Sequence, residues 1–109
     1  MVNIPSVEVE QLRDMLQSAT PPLVLDVREK RENDICSLPG NQLMPMSELQ
    51  TRFAELPKNQ TIVVHCHHGG RSARATAFLQ QQGFTKVFNL KGGIHAWSER
   101  IDPSVKTYG

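Results

Sequence analysis

Residues 65–72 place a cysteine, three histidines, two glycines, an arginine and a serine in one short stretch of the chain. Cys66 follows an apolar, β-branched run over 61–64, which is typical of a strand buried on both faces. Residues 72–82 are rich in helix formers and are followed by Gly83, so they predict a helix. Cys66 then faces a helix N-terminus, whose unpaired N–H groups favour the thiolate, the nucleophilic form of cysteine.

The neighbours of Cys66 strengthen this interpretation. Gly69 and Gly70 allow backbone conformations that bring the loop close to a ligand, and Arg71 adds a permanently charged donor fork. The ordinary alternative is a small, buried and inert thiol, because free cysteine is often buried. The crowding of these residue types, with Ser72 as a helix cap, favours a reactive cysteine.

Composition excludes several classes of function. The 109 residues predict one domain over 1–109, and the net charge of +1 gives no reason to expect a nucleic acid or a membrane as partner. No stretch has the length of a membrane span, and the N-terminus lacks a signal-peptide pattern. Two cysteines are too few for a disulfide framework, so a reducing, cytoplasmic location is expected. Cys36 has no basic neighbour in its apolar stretch and is predicted to be a buried structural thiol.

Strand and helix patterns alternate along the chain. Strands are predicted over 1–5 (at an edge), 23–27, 43–45, 61–65 and 86–90, and helices over 6–20, 30–35 (a turn or helix), 47–56, 72–82 and 94–100. This alternation predicts an α/β fold with a central, mostly parallel five-stranded sheet and helices on both faces. Ligands in such sheets lie beyond the C-terminal ends of the strands, where Cys66 falls.

Four polar residues have predicted structural roles. Ser6 and Ser47 have the positions of helix N-caps, and Gln50 three residues after Ser47 completes a capping-box pattern. Asp26 lies in an apolar run, where a carboxylate needs partners, so it is expected to bind loop backbone or a nearby basic group.

Four segments together resemble the rhodanese-like sulfurtransferases. They are residues 25–29, 38–40, 66–72 and 90–97, which occur in the family's order and span nearly the whole chain. The tail over 101–104 is similar to the end of rhodanese domains fused to adenylylating enzymes that activate sulfur-carrier proteins.

The resemblance implies a reaction and a site. Cys66 would take a sulfane sulfur from thiosulfate or a persulfide donor, become a persulfide, and pass the outer sulfur to a thiophilic acceptor, either a small thiol or a protein. The residues expected around the persulfide are His67, His68, Gly69, Gly70, Arg71 and Ser72. Arg71 would help to hold an anionic donor, Asp26 and Arg28 would support the site, and no cofactor is implied.

Two alternative chemistries are less well supported. Cys-dependent phosphatases and arsenate reductases have five residues between the cysteine and the arginine, whereas four separate Cys66 from Arg71. A metal site at residues 65–68 is disfavoured because adjacent strand residues point to opposite faces, and His95 alone does not complete a ligand set. His67 and His68 are therefore expected to be titratable loop residues that add some charge stabilisation to the thiolate.

A third alternative is a non-catalytic module. Some rhodanese-like domains serve in protein interaction or sulfur relay with little free activity. Such modules commonly lack the cysteine, which is present here within a complete loop. The sequence does not distinguish a free enzyme from a sulfur-relay domain that acts only with a specific partner.

Overall fold

The computed structural model describes residues 4–108 and has one sheet flanked by helices. The strands are β1 Ser6–Val7, β2 Leu23–Asp26, β3 Asn41–Leu43, β4 Ile62–His65 and β5 Val87–Leu90. The helices are α1 Val9–Leu16, α2 Lys30–Ile35, α3 Met46–Arg52, α4 Gly70–Gln81 and α5 Gly93–Arg100, with a 3₁₀ turn over Phe53–Glu55. Among these residues no helix is long and apolar enough to cross a membrane.

The five strands are parallel and lie in the order β1-β5-β4-β2-β3. This confirms the predicted α/β architecture. Strand β4 is central, and its Val64 is paired with Leu25 on one side and Asn89 on the other. The C-terminal ends of β2, β4 and β5 therefore meet at one edge of the sheet, directly before the segments that carry the candidate site.

Alternating side chains of the central strands build a core on each face. Ile62 and Val64 pack with α3 and α4 on one face, whereas Val63 packs with α1 and α5 on the other. Strands covered on both faces are mostly apolar, which explains the β-branched run over 62–64 ahead of the buried His65. Ile94 and Trp97 are buried as predicted.

The ends of several elements differ from the sequence expectations. The edge strand expected over 1–5 is instead β1 at Ser6–Val7, and residues 1–3 lie outside the described part of the chain. Ser6 consequently is not an N-cap, and Glu8 forms a capping box with Gln11. At α3 the N-cap is Pro45 rather than Ser47. Both predictions were wrong because pairing with β5 and the approach from β3 fix where each helix begins.

Candidate functional site

Cys66 lies directly after β4 and is 1% exposed. Its loop ends at Gly69, whose φ of +112° suits glycine, and α4 begins at Gly70. The helix starts two residues before the predicted position, so Gly70 and Arg71 belong to its first turn. The thiol sulfur therefore faces the N-terminus of α4, as the sequence predicts.

Three groups donate hydrogen bonds to Cys66 Sγ. They are the Gly69 N–H at 3.1 Å, the Ser72 N–H at 3.4 Å and the Ser72 hydroxyl at 3.4 Å. Burial raises the pKa of the Cys66 thiol, but hydrogen bonds from the Ser72 hydroxyl and from loop N–H groups outweigh it, so that the pKa falls below its ordinary value. The thiolate is thus favoured in a site shielded from water.

The first turn of α5 holds the other side of the loop. Ile94 N–H donates to the Cys66 carbonyl at 2.9 Å, and His95 N–H donates to the His67 carbonyl at 3.1 Å. Gly93 makes this approach possible, since a Cβ there would lie 2.5 Å from both carbonyl oxygens and its φ is +62°. The Cys66 loop is consequently held between the N-terminus of α4 and the N-terminus of α5.

Arg71 is paired with Glu32, a residue that the sequence analysis did not assign to the site. Arg71 Nη1 and Nη2 each donate to one Glu32 carboxylate oxygen at 2.8 Å, and the Tyr108 hydroxyl donates to the same carboxylate at 2.8 Å. The hydrogen bonds from Arg71 hold the pKa of the Glu32 carboxyl far below its usual range, against the opposing effect of its burial. The Arg71 guanidinium is therefore held in one orientation, and the Glu32 carboxylate neutralises its positive charge.

Asp26 and Arg28 form a buried ion pair beneath the loop. Arg28 Nε and Nη2 donate to the two Asp26 carboxylate oxygens at 2.8 Å and 2.7 Å, and the Arg28 backbone N–H also donates to Asp26. This confirms the expected basic and backbone partners of Asp26. Arg28 also donates to the carbonyls of Glu32 and Cys36 and to the Tyr108 hydroxyl, so it joins the ends of several elements.

Cys36 differs from its sequence-based description. It is half-buried rather than fully buried, and Arg28 Nη1 lies 3.7 Å from its sulfur. The basic neighbour is absent in the local sequence and is supplied by a residue eight positions earlier. Both Cys36 and Cys66 are free thiols.

Three histidines gather beside the loop. The ring centroids of His67 and His68 are 4.0 Å apart, and His95 lies 4.9 Å from His68 and 5.7 Å from His67. Strand geometry would point adjacent residues to opposite faces, but β4 ends at His65 and residues 67 and 68 lie in a bend, so their imidazoles can approach each other. Burial and the neighbouring histidines lower the pKa of His67. His65 remains apart, with its Nε2 against the side-chain oxygen of Asn41.

Four residues of this region were not predicted for the site: Glu32, Asn89, His95 and Tyr108. The Asn89 side chain contacts the Ser72 hydroxyl, and Tyr108 stacks on His67 with ring centroids 4.0 Å apart. The C-terminal tail thus folds back on the loop. The signal for Asn89 and His95 was topological, because β5 is a neighbour of β4 in the sheet and α5 directly follows β5. No sequence pattern near Glu32 or Tyr108 indicates that these residues belong to the site.

Comparisons with known proteins agree with this arrangement. A family model described as "Rhodanese-like domain" matches residues 8–100. A protein of Allochromatium vinosum named "Sulfurtransferase" is 36% identical over 109 residues, which cover all of both chains. The "Probable adenylyltransferase/sulfurtransferase MoeZ" of Mycobacterium tuberculosis is 38% identical over 100 residues, covering 90% of this chain and 26% of that protein.

Solved structures show the same fold. The crystal structure of a rhodanese-related protein from Thermoplasma volcanium superposes with a TM-score of 0.82 at 34% identity, covering 95% of this chain and 99% of that one. The chain spans 22% to 62% of the length of the longer curated relatives that it matches. Sulfur transfer is the broad function that the sulfurtransferase-named relatives support. Taken with the Cys66 loop at the carboxyl edge of the sheet, these matches establish that the chain belongs to the rhodanese-like domain family.

Proposed function

We propose that the protein is a sulfurtransferase that carries a sulfane sulfur on Cys66. The thiolate attacks the outer sulfur of thiosulfate, the S–S bond of the donor breaks, and sulfite leaves with the bonding electron pair. Cys66 is then a persulfide. A thiophilic acceptor such as cyanide attacks the terminal sulfur, so that thiocyanate leaves and the thiolate is restored.

The observation that carries this proposal is the set of donors around the Cys66 sulfur. Two N–H groups and one hydroxyl, from Gly69 and Ser72, point at a buried sulfur at the N-terminus of α4. Such donors stabilise negative charge on a thiolate and also on the terminal sulfur of a persulfide. The Cys66 thiolate and the Cys66 persulfide are both anionic, so the same loop stabilises the enzyme before and after it takes up sulfur.

The charge arrangement favours sulfur over phosphoryl chemistry. A phosphoryl group needs donors for three equatorial oxygens, and an arginine fork is the usual way to supply them. Here both terminal nitrogens of Arg71 already bind the Glu32 carboxylate. We therefore expect no hydrolysis of an aryl phosphate.

The donor and acceptor classes follow from the same chemistry. A small anion such as thiosulfate or a low-molecular-weight persulfide is the proposed donor, and a small thiol or an acceptor protein receives the sulfur. Sulfur relay to a protein is the second candidate function, because the chain is 38% identical to part of an adenylyltransferase/sulfurtransferase. A reducing compartment such as the cytoplasm would keep Cys66 in the required thiol form.

The test is mass spectrometry of the intact protein after incubation with thiosulfate. One sulfur atom should be added on Cys66 and removed by cyanide, with thiocyanate as product. Cys66→Ser should gain no sulfur, whereas Cys36→Ser, the matched control at the other thiol, should load as the wild type does. A protein that stays unmodified by thiosulfate and persulfide donors would overturn the proposal. Loading with slow transfer to cyanide and fast transfer to a protein thiol would identify the relay function.

A further inference from the structure

We propose that His67, His68 and His95 form a binding site for a divalent transition-metal ion of the zinc class. Each offers one ring nitrogen, and these three nitrogens all lie within 4.8 Å of one another. Neutral imidazole is a common ligand of zinc, cobalt, nickel and copper ions. His67 and His68 belong to the Cys66 loop and His95 to the adjoining turn of α5, and no step of the proposed sulfur cycle uses an imidazole.

The spacing of the nitrogens is close to that of a bound set. Zn–N bonds of about 2.0–2.1 Å in tetrahedral geometry put ligand nitrogens about 3.3 Å apart. The separations of up to 4.8 Å therefore need to shrink by at most about 1.5 Å, which side-chain rotation supplies. Exposed His68 and half-exposed His95 have the freedom to make that adjustment.

Two ring nitrogens in the cluster lack a hydrogen-bond partner although they are buried. They are His67 Nε2 and His95 Nδ1, each within the described part of the chain. A buried polar atom without a partner costs free energy, so its presence calls for an unseen ligand or a function. His67 as a residue is 9% exposed, so this is a buried imidazole rather than a solvated one.

The second nitrogen of His95 has the partner that metal-binding histidines typically have. His95 Nε2 lies 3.4 Å from a carboxylate oxygen of Glu99, one helical turn later in α5. A carboxylate that hydrogen-bonds the far ring nitrogen would fix the tautomer and leave Nδ1 with its lone pair free for a metal ion, and the exposed Glu99 side chain can make that bond by a small rotation. His67 is oriented in a different way, by the Tyr108 ring stacked on it at an interplanar angle of 11°.

The backbone also holds the ligands together without a metal ion. The His95 N–H binds the His67 carbonyl, so the loop and the first turn of α5 are joined at the residues that supply two of the three imidazoles. A site built on connected backbone loses less conformational entropy on binding. Three protein ligands leave the fourth tetrahedral position to water, so the site is open rather than closed.

The test is binding of Co²⁺ and Zn²⁺ to the full chain, free of any affinity tag and kept reduced with a phosphine. We expect one Co²⁺ per chain with the visible absorption of tetrahedral nitrogen and oxygen ligation. Zn²⁺ should displace it and should compete with a chromophoric chelator. In the wild type, ring resonances of His67, His68 and His95 should shift on titration with Zn²⁺, whereas those of His65 should not.

Variants separate this site from other modes of binding. His68→Ala and His95→Ala should each weaken Zn²⁺ binding by more than about 10-fold, and Glu99→Gln by about 10-fold, as expected when a supporting carboxylate is lost. Cys66→Ser should bind like the wild type, because the sulfur faces α4. Unchanged binding in both histidine variants, a thiolate-to-cobalt absorption band that Cys66→Ser removes, or a histidine cluster that binds thiosulfate but no metal ion would overturn the proposal.

Discussion

At Cys66 two opposing effects act on the thiol. Burial favours the neutral form, whereas the hydrogen bonds from Ser72 and the loop N–H groups favour the thiolate and prevail. Ser72 provides two of these donors, from its hydroxyl and its backbone. Substitution by alanine removes the hydroxyl and keeps the backbone N–H. The contribution of the hydroxyl to lowering the pKa of Cys66 can therefore be measured separately.

Ser72→Ala should raise the pKa of Cys66. A hydrogen bond to a charged group contributes about 1.5–3 kcal/mol, and losing the one from the Ser72 hydroxyl removes part of what stabilises the thiolate. The pH dependence of Cys66 alkylation by iodoacetamide, followed by mass spectrometry, measures this. Ser47→Ala, at an exposed serine on α3, is the matched control and should leave the profile unchanged. Overlapping profiles for Ser72→Ala and the wild type would show that the N–H groups suffice.

Arg71 and Glu32 should have opposite effects on the binding of an anionic donor. Arg71→Ala should raise KM for thiosulfate about tenfold, because the N–H groups of Arg71 that Glu32 does not engage can donate to one small anion, although they are too few for the three oxygens of a phosphoryl group. Glu32→Gln should lower KM for thiosulfate, since Arg71 would no longer be neutralised by its carboxylate partner. Steady-state kinetics with thiosulfate measure both constants.

A neutral persulfide donor is the control for this pair of variants. Its KM should change little in either variant, because no anionic group is present for Arg71 to bind. Equal changes with the two donors would mean that Arg71 acts by keeping α2 and the loop in place, through its bond to Glu32.

At the scale of elements, the site depends on the contact between the Cys66 loop and the start of α5. Gly93→Ala should destabilise the protein by about 2 kcal/mol or more, because strained backbone costs about 1–3 kcal/mol and a steric clash adds to it. The new Cβ would lie 2.5 Å from the carbonyl oxygens of Cys66 and His67. Urea denaturation measures the free energy of unfolding.

Gly70→Ala is the matched control for the glycine substitution. A Cβ at Gly70 meets nothing within 4 Å, and the residue lies in the first turn of α4. Alanine there should be neutral or should stabilise the helix by up to about 1 kcal/mol. Similar losses in both variants would show that the α5 contact is not specially constrained.

The elements that the sequence predicts well are those whose patterns are local. Each of these patterns can be recognised in a short stretch of sequence. They are the apolar runs of β2 and β4 and the helix-forming residues of α4. The N-caps at Ser6 and Ser47 were predicted wrongly because tertiary contacts decided where those helices begin. A cap sequence is only a local preference, and strand pairing overrides it.

The residues of the candidate site also fall into two groups, those that a local pattern predicts and those that depend on contacts distant in the sequence. The surroundings of Cys66, from Gly69 to Ser72, follow from one strand–loop–helix segment. Glu32 and Tyr108 depend on contacts across 39 and 76 positions, which no local pattern contains. The histidine cluster was missed because alternation along a strand was applied to residues that lie in a bend.

At the scale of the whole molecule, a polar layer lies under the loop within an otherwise apolar sheet. The Asp26–Arg28 ion pair is fully buried, and Arg28 links the end of β2 to Cys36 and to Tyr108 near the C-terminus. His65, at the end of β4, is also fully buried. A buried ion pair with all its hydrogen bonds made fixes the relative positions of elements more than it adds stability.

His65 should make stability depend on pH. Burial lowers its pKa to about 4, with Arg28 adding to the effect and Asp26 opposing it. The folded pKa lies below the unfolded value of about 6.5, so between these values the unfolded chain binds more protons. Stability is therefore complete above about pH 6.5 and falls as the pH drops toward 4, by about 3 kcal/mol in total.

The measurement is urea denaturation of the wild type and His65→Gln across this pH range, with a chelator present. All other titratable groups are the same in both proteins, so their contributions cancel in the difference between the two free energies of unfolding. The wild type should lose about 3 kcal/mol relative to His65→Gln as the pH falls from about 7 to 4. The slope with pH is the readout, so a uniform loss of stability in the variant does not affect it. A difference that stays constant over this range would mean that His65 accepts a proton in the folded protein at its ordinary pKa.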